Sequence, residues 1–318
     1  MRFVFDATIA FVLFFSAYWA YVLIRSFFYD RENQNRTKLI RGFLIACLLV
    51  GYFLVFWGSF IEPRRLVVRD VPIDLKTTAK HEQIKIAFLS DFHLGHYKKS
   101  FFVKRIVKQV IKQNPDVVLL GGDYILGGDG SNAKYLAPLK DLSDRYPVYA
   151  VMGNHEFHLA NENDSHLVDR TATLRWLFEK LNIKILENKT AIITVNDSRF
   201  NLTGLPEIWT HKVNFHIAEI NQDPHLPNVL LVHNPEIILD ENANKYELII
   251  SGHTHGGQIR LPFVGSLAPL PTKLGRYFDQ GLFPTKNGYL YISSGLGESG
   301  ARARLFDPPE ITILNLDL

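Results

Sequence analysis

The chain is poor in cysteine and in charged residues. It holds one cysteine, Cys47, among 318 residues, which excludes a disulfide framework and a zinc cluster built on thiolates. Only 21% of the residues are charged and 47% are apolar, so the composition is that of a folded protein and not of a disordered one. The sequence has no internal repeat and no low-complexity tract. Its length suits one large domain with an appendage, or two modest domains.

Excess positive charge is confined to the amino-terminal quarter of the chain. Residues 1–80 carry eleven Lys and Arg and six Asp and Glu, a net charge of +5, whereas the remaining residues have a net charge of −2. Nucleic acids are bound through clustered Lys and Arg that contact phosphates. We therefore expect no nucleic-acid partner for the weakly acidic region. The basic surplus is expected near a membrane.

Two long, uncharged, mostly apolar stretches lie in this basic quarter. Residues 7–24 and 42–61 are 18 and 20 residues long, which is enough to cross a hydrocarbon core of ~30 Å. A cleaved signal peptide is the alternative for the first stretch, but Arg2 is the only basic residue before it and no clear small-x-small cleavage site follows. The pattern favours a transmembrane helical hairpin over residues 1–61, and hence an integral membrane protein in contact with a lipid bilayer.

Basic residues do not determine the orientation of this hairpin. Five lie in the loop between the two stretches and five flank the stretches on the other side, so the positive-inside rule favours neither orientation. The membrane side of the remaining chain is left open. The amino terminus and all residues after 61 are expected on one side, with residues 62–83 as a charged connector in which residues 66–71 are a candidate strand.

Beyond the connector, short apolar runs alternate with amphipathic segments. Residues 101–113 and 171–181 place aliphatic side chains on one face at helical spacing. Helices alternate with the early strands and hairpin-like pairs come later, which predicts a layered α/β domain with more than one sheet over residues 84–318. The runs that suit strands are residues 84–89, 117–120, 148–152, 183–186, 191–195, 199–203, 229–232, 248–250, 288–293 and 311–316.

Asp, His or Asn follows closely after five of these runs. A single polar residue at a strand end usually caps a turn or a helix, and a single histidine is usually a surface one. Five such polar segments, in an order in which strands and helices alternate, favour a common site instead. Ligands bind at the carboxyl ends of strands in α/β sheets, and neutral imidazole is a common metal ligand. The segments are Asp91-Phe92-His93, Gly122-Asp123, Gly153-Asn154-His155-Glu156, His233-Asn234 and Gly252-His253-Thr254-His255.

These segments stand in the order of the motifs of the calcineurin-like metallophosphoesterases, which residues 82–318 resemble. The resemblance implies a four-layer α/β/β/α sandwich that holds two divalent metal ions, and the mixed ligand types suit Mn, Fe or Zn. Residues 251–258 and 304–311 are similar to the membrane-anchored bacterial branch of the family. That branch is similar in architecture to the pyrophosphatases that cleave UDP-2,3-diacylglucosamine in lipid A synthesis.

The resemblance also implies a role for each polar residue. His155 would stay off the metal ions and face the substrate phosphate as a catalytic residue. Gly127 stands where many relatives have a carboxylate, and residues 205–207 replace a more usual Gly-x-Asp-like stretch, which leaves the substrate contacts open. By motif position, the ligands are Asp91, His93 and His255 for the first ion, Asn154, His233 and His253 for the second, and Asp123 for both.

Phosphate ester hydrolysis explains why such a ligand set would be useful. Two cations about 3.5 to 4 Å apart lower the pKa of a shared water, orient it and clamp the phosphoryl oxygens. We therefore expect a membrane-anchored dinuclear-metal phosphohydrolase acting on a phosphoester or pyrophosphate of a lipid-linked or membrane-adjacent substrate, with UDP-2,3-diacylglucosamine as one candidate. The alternative is a catalytically silent interaction scaffold. The presence of all seven ligands and His155 favours hydrolysis. The oligomeric state is not predicted.

Two long connections are candidates for substrate contact. Residues 257–286 are rich in Pro, Leu and Phe, with Lys273 and Arg276 among them, and could hold acyl chains beside a phosphate. A packed surface loop is the alternative. Residues 157–170, which include His166, are the second candidate.

Overall fold

The computed structural model describes residues 2–29, 35–75, 83–127, 130–164 and 169–318. The amino-terminal part consists of two long helices, α1 (Arg2–Tyr29) and α2 (Asn35–Phe56), which pack against each other. Both are long and apolar enough to cross a membrane. In each helix, at most 6% of the most apolar stretch is buried. A core helix of a soluble protein would instead bury its apolar face. They are candidate membrane spans.

The remaining described residues form an α/β region that contains fourteen strands and four further helices. The strands are β1 (Val67–Asp74), β2 (Gln83–Leu89), β3 (Val117–Leu120), β4 (Val148–Ala150), β5 (Lys184–Ile185), β6 (Lys189–Val195), β7 (Ser198–Gly204), β8 (Asn228–Leu231), β9 (Leu248–Ser251), β10 (Arg260–Leu261), β11 (Gly265–Ser266), β12 (Gly281–Pro284), β13 (Tyr289–Ile292) and β14 (Glu310–Asp317). The helices are α3 (Ser100–Gln113), α4 (Lys140–Ser143), α5 (Thr171–Lys180) and α6 (Phe215–Ala218).

Twelve of these strands form two six-stranded mixed sheets, with the orders β1-β14-β2-β3-β4-β5 and β12-β13-β9-β8-β7-β6. Strands β2 to β5 run parallel, with Leu89 opposite Leu120, and β7, β8, β9 and β13 run parallel in the second sheet. Strands β10 and β11 form a separate antiparallel hairpin. Each sheet therefore has a block of parallel strands whose carboxyl ends lie at one edge.

Side chains that alternate along the strands point to opposite faces of each sheet, and they pack into three apolar layers. Ala87 and Leu89 of β2 pack against α3 and α5, whereas Ile86 and Phe88 pack toward the second sheet. The outer face of the second sheet is covered by α6 and short 3₁₀ turns, for example through Phe215. The predicted four-layer α/β/β/α sandwich is confirmed, although short turns make up most of the last layer.

Helix α3 shows how the local sequence sets an element of this sandwich. Val103, Ile106 and Val110 are completely buried against the first sheet, as their helical spacing predicts. The helix ends at Asn114, which adopts the left-handed conformation with φ 48°, and Pro115 follows. Asn tolerates this conformation and proline cannot continue a helix, so the end is encoded locally.

The predicted connector, residues 62–83, is partly built into the first sheet. Strand β1 pairs in parallel with β14 along its whole length. Val71 and Ile73 of β1 are buried between the two sheets. The sheet thus includes residues before 84, and the domain boundary at that residue stays a prediction.

Both ends of the helical hairpin are held against the sandwich. After α2, the buried Glu62 carboxylate accepts hydrogen bonds from the Asp307 backbone N–H at 2.8 Å and from Trp57 Nε1 at 2.6 Å. At the start of α1, Asp6 accepts a hydrogen bond from Arg302 Nη2 at 2.8 Å. The beginning of α1 and the end of α2 therefore face the same part of the sandwich.

We expect a truncated chain that starts at Leu75 to be much less stable than one that starts at Glu62. The shorter chain lacks β1, so β14 becomes an edge strand and the burial of Val71 and Ile73 is lost. Burying two such side chains contributes about 3–6 kcal/mol to the free energy of unfolding. Urea unfolding of both chains measures the difference, and equal midpoints would contradict a structural role for β1.

Candidate metal centre

The carboxyl ends of the parallel strands in both sheets meet at one edge and carry the predicted ligands. Asp91 and His93 follow β2, Asp123 follows β3, Asn154 follows β4, His233 follows β8, and His253 and His255 follow β9. All seven side chains are buried. The structure thus brings together residues that are up to 164 positions apart, from Asp91 to His255. Their roles as ligands stay predictions.

A first cluster joins Asp91, His93, Asp123 and His255, whose candidate ligand atoms all lie within 4.8 Å of one another. His93 Nε2 lies 3.0 Å from His255 Nε2 and 3.4 Å from Asp123 Oδ2. His255 Nε2 lies 3.5 Å from Asp91 Oδ1. Two imidazole nitrogens and two carboxylates therefore converge on one point.

A second cluster joins Asp123, His233 and His253, again within 4.8 Å. His253 Nδ1 lies 3.3 Å from His233 Nε2 and 3.0 Å from Asn154 Oδ1. The Asn154 amide group donates a hydrogen bond to the carbonyl of Leu159 at 2.7 Å, which turns its oxygen toward the cluster. His233 Nε2 lies 3.3 Å from Asp123 Oδ2, so Asp123 belongs to both clusters.

Backbone carbonyls fix which nitrogen of two imidazoles faces the centre. His233 Nδ1 lies 2.7 Å from the carbonyl of Gly121, and His253 Nε2 lies 2.8 Å from the carbonyl of Pro271. A carbonyl only accepts hydrogen bonds, so these two nitrogens carry the protons. The other ring nitrogens, His233 Nε2 and His253 Nδ1, then face the second cluster, as in metal sites whose outer contacts orient the ligands.

Five of the candidate ligands have left-handed backbone conformations. Asp91, His93, Asp123, His253 and His255 have φ values between 44° and 72°. Such conformations are uncommon for residues other than glycine, and they persist where the surrounding structure imposes them, often at functional sites. The chain therefore reverses sharply after β2, β3 and β9, which directs these side chains toward the centre.

Two glycines of the motifs allow close approach to the carboxylates. A Cβ atom on Gly252 would overlap the hydroxyl group of Ser90 and the carboxylate of Asp91. A Cβ atom on Gly153 would overlap the carboxylate of Asp123. Glycine is required at both positions because no side chain fits between the two strand ends.

Burial controls the charge of the clustered side chains. It lowers the pKa of His253 to about 3 and holds the pKa values of His93 and His255 well below the usual range, so these imidazoles are neutral. Burial also raises the pKa of Asp91 to about 6. Neutral imidazole nitrogens and buried carboxylate oxygens that converge need a cation to balance them, and this donor set fits divalent metal ions.

Glu156 supports the centre, although its motif alone assigned it no role. Its buried carboxylate accepts hydrogen bonds from the backbone N–H groups of Gly153 at 2.8 Å, Asp123 at 2.9 Å and Tyr124 at 2.9 Å. It thereby ties the turn after β4 to the turn after β3. Burial raises its pKa to about 8. Its position three residues after Gly153, as in a capping box, was the signal that could have revealed it.

A second buried acid lies in the stretch that departs from the family pattern. Glu207 follows β7 and accepts a hydrogen bond from the Trp209 backbone N–H at 3.2 Å. Burial raises its pKa to about 7. The Trp209 ring meets the His253 ring edge-on, with 4.8 Å between the centroids. This stretch therefore packs against a candidate ligand.

A pocket of about 500 Å³ opens beside both clusters. His155 lies in its wall with 27% of its side chain exposed, whereas the exposed fraction of Asp123 is 2%. Both predicted connections line the pocket, the shorter one through residues 158–160 and the longer one through Ala268, Pro269 and Pro271 among others. Lys273 and Arg276 are not among the lining residues, and His166 lies outside the described residues.

Comparison with known proteins agrees with this geometry. Residues 84–257 match the family model described as calcineurin-like phosphoesterase. The match covers more than half of the chain, and the chain belongs to the calcineurin-like phosphoesterase family. It is a metallophosphoesterase, a hydrolase that uses divalent metal, and the predicted family, fold and enzyme class are confirmed.

The chain is similar in sequence to three bacterial members of the family, among others. It is 32% identical over 237 residues to the phosphodiesterase YaeI of Escherichia coli, which covers 73% of this chain and 82% of the relative. It is 31% identical over 300 residues to an uncharacterised metallophosphoesterase of Helicobacter pylori, with coverage of 91% and 73%. It is 25% identical over 301 residues to the UDP-2,3-diacylglucosamine pyrophosphatase LpxG of Chlamydia trachomatis, with coverage of 81% and 91%.

Asp123→Asn should release more metal than Asn154→Ala. The Asp123 carboxylate faces both clusters, so its neutralisation weakens two coordination spheres, whereas Asn154 contacts only the second cluster. Elemental analysis of the purified variants, together with hydrolysis of an aryl phosphate, measures the effect. Full metal occupancy in the Asp123 variant would contradict its place between two ions.

Glu156→Gln should lower stability by about 1–3 kcal/mol, because the amide nitrogen of Gln would face a buried backbone N–H and leave it without an acceptor. The turns after β3 and β4 should separate, and metal content should fall as well. Glu179→Gln on the exposed face of α5 is the matched control. Thermal unfolding and elemental analysis provide the measurements, and wild-type values for both would exclude a supporting role for Glu156.

Proposed function

We propose that the protein is a membrane-anchored phosphohydrolase that cleaves a phosphoester or pyrophosphate bond at a centre of two divalent metal ions. The observation that carries this proposal is the position of Asp123. One oxygen of its carboxylate, Oδ2, lies 3.4 Å from His93 Nε2 in the first cluster and 3.3 Å from His233 Nε2 in the second. A carboxylate shared between two sets of ligands is what a bridged pair of ions requires.

The donor set favours Mn, Fe or Zn over harder ions. Imidazole nitrogens suit these metals, whereas sites for Mg or Ca are built mainly from oxygen ligands. When bound, the ions would supply positive charge for the phosphoryl oxygens and a water of lowered pKa. The proposed ligands are Asp91, His93, Asp123 and His255 for one ion, and Asp123, Asn154, His233 and His253 for the other.

His155 is the proposed catalytic residue of the chain. Its backbone N–H donates to Asp123 Oδ1 at 2.9 Å, which fixes the turn. Its Nε2 stays 3.9 Å from Asp123 Oδ2, and its ring lies edge-on to His93 with 4.5 Å between centroids. The imidazole therefore faces the pocket beside the clusters. As the oxygen of water bonds to phosphorus and the bond to the leaving oxygen breaks, protonated His155 would give its proton to the leaving oxygen, and the proton lost by the attacking water would pass to solvent.

Two observations support a substrate that resides in or beside the bilayer. The candidate spans α1 and α2 would hold the pocket near lipid, and we propose an integral membrane location on this basis. One relative, LpxG, is by its name a pyrophosphatase of a diacylated sugar nucleotide. UDP-2,3-diacylglucosamine is thus one candidate among lipid-linked phosphates and pyrophosphates.

A panel of substrates tests the proposed function. The full chain in lipid nanodiscs, loaded with Mn²⁺, is given lipid phosphates, nucleotide diphosphate lipids and soluble aryl phosphates. Hydrolysis of at least one lipid-linked class is expected, and Asp123→Asn serves as the inactive control. A metal-loaded protein that cleaves no member of the panel would instead support a catalytically silent scaffold.

His155→Ala should retain metal and fold but lose kcat by about 10² to 10⁴, the usual range for a lost acid or base. The loss should be larger for alkyl esters than for aryl esters, since a poor leaving group depends more on protonation. Steady-state kinetics with both ester types measures this difference. Equal losses would show that His155 positions the phosphate, and loss of metal would make it a ligand.

A further inference from the structure

The hairpin of β10 and β11 carries an unusual apolar tip. Phe263 has an exposed fraction of 110%, which means that its side chain has no covering neighbour among the described residues, and Val264 beside it is 59% exposed. Phe263 also has a left-handed backbone conformation, with φ 65°. A bulky residue in this conformation is a strained outlier, and glycine or asparagine would fit better.

This tip is continuous with the candidate membrane span α2. Phe263 and Tyr277 line a surface groove together with Phe306. Phe306 also lines a second groove of about 390 Å³, whose other side includes Phe53 and Trp57. The two grooves therefore share Phe306, which links the end of α2 to the hairpin tip.

Phe306 repeats the two features of Phe263. Its side chain is 48% exposed, and its backbone is left-handed with φ 54°. Two phenylalanines are thus held outward in conformations that disfavour them, on one surface. Strain of this kind is characteristic of functional positions.

We propose that the hairpin tip, with Phe306 and Tyr277, is a second membrane contact that enters the bilayer interface beside α2. This inference rests on the proposed anchoring by α1 and α2. Aromatic side chains concentrate at the level of lipid headgroups, where Trp57 at the end of α2 would also lie. The occupant of this surface is therefore the bilayer that α2 crosses.

Charged groups around the tip suit the same interface. Arg260 and Arg276 line the first groove and Arg65 lines the second, and basic side chains near a membrane surface are attracted to anionic lipids. Arg260 forms an ion pair with Asp279, and Arg276 donates a hydrogen bond to the carbonyl of Ser266. These internal contacts hold the two side chains at the base of the hairpin, below the apolar tip.

The same connection also forms a wall of the catalytic pocket, through Gln258, Ala268 and Pro271 among others. The Leu267 N–H donates to the carbonyl of Ile259 at 2.9 Å, so the two ends of the hairpin are joined. A hairpin fixed in the interface would therefore hold the pocket at the membrane surface. The substrate class that this arrangement favours is an amphiphile whose phosphate projects from the bilayer.

Fluorescence quenching by lipid tests the proposed contact. Cys47 is first replaced by alanine in the full chain, and a single cysteine is then introduced by Phe263→Cys and labelled with an environment-sensitive NBD fluorophore. The labelled protein is placed in vesicles of phosphatidylethanolamine and phosphatidylglycerol that contain doxyl-labelled lipid. Phe53→Cys on α2 is the positive control, and Trp176→Cys on the exposed face of α5 is the negative control.

We expect doxyl lipid to quench the labels at positions 53 and 263 and to leave the label at position 176 unchanged. Aqueous iodide should quench the label at 176 at least about threefold more strongly than the label at 263. If position 53 is quenched by lipid but position 263 responds only to iodide, the hairpin contact is excluded while the anchoring stands. If neither is quenched by lipid, the proposed anchoring itself is wrong.

A variant separates membrane contact from a structural role. Phe263→Asn removes the apolar ring and suits the left-handed backbone, so its melting temperature should equal or exceed that of the wild type. Its turnover of a bilayer-embedded phosphate, relative to its turnover of a soluble aryl phosphate, should fall by about tenfold, because burial of one phenylalanine ring has about this effect on an equilibrium. A lower melting temperature with an unchanged turnover ratio would show that Phe263 serves the fold alone.

Discussion

A carboxylate with five imidazole rings around it and almost no access to water requires nearby positive charge, and Asp123 is in this position. Burial opposes its ionisation, but the neighbouring imidazoles, His233 first among them, keep its pKa well below the usual range. The turns after β2, β4, β8 and β9 all close around this one group. Glu156 fixes its backbone, and Gly153 leaves room for its side chain. Binding of cations at this point would join the two sheets, so metal binding and folding should be coupled.

The helical hairpin and the candidate centre are connected through a continuous set of buried polar contacts. Glu62 accepts a hydrogen bond from the backbone of Asp307, whose carboxylate accepts from Arg304 Nη1 at 3.1 Å. Arg304 is completely buried and donates to the carbonyl of Gly297 at 2.6 Å. The Gly297 N–H in turn donates to the carbonyl of Asp91. Because each group would lack a partner if its neighbour moved, the end of α2 and the first cluster are positioned together.

The parts of this structure that depend on local pattern were predictable from sequence. Apolar runs gave ten of the fourteen strands to within a few residues, as for residues 199–203 and β7 (Ser198–Gly204). Ordered polar residues at strand ends located all seven clustered side chains. The contribution of Pro271 was not predictable, because a carbonyl has no sequence signature and its approach to His253 depends on how a long connection packs. The pairing of β1 with β14 was missed for a related reason, since Asp74 and Glu310 are 236 positions apart in the chain.

The place of β14 in the first sheet has a consequence for biosynthesis. This strand lies between β1 and β2, parallel to the first and antiparallel to the second. During translation, the helices and the strands β1 to β13 emerge first, but β1 has no neighbour in its sheet until residues 310–317 leave the ribosome. Closing the sheet therefore waits for a late segment and joins distant parts of the chain, which slows folding and prolongs exposure of unpaired strand edges. If α1 and α2 cross a membrane as proposed, the nascent chain would until then carry an open sheet next to the lipid surface.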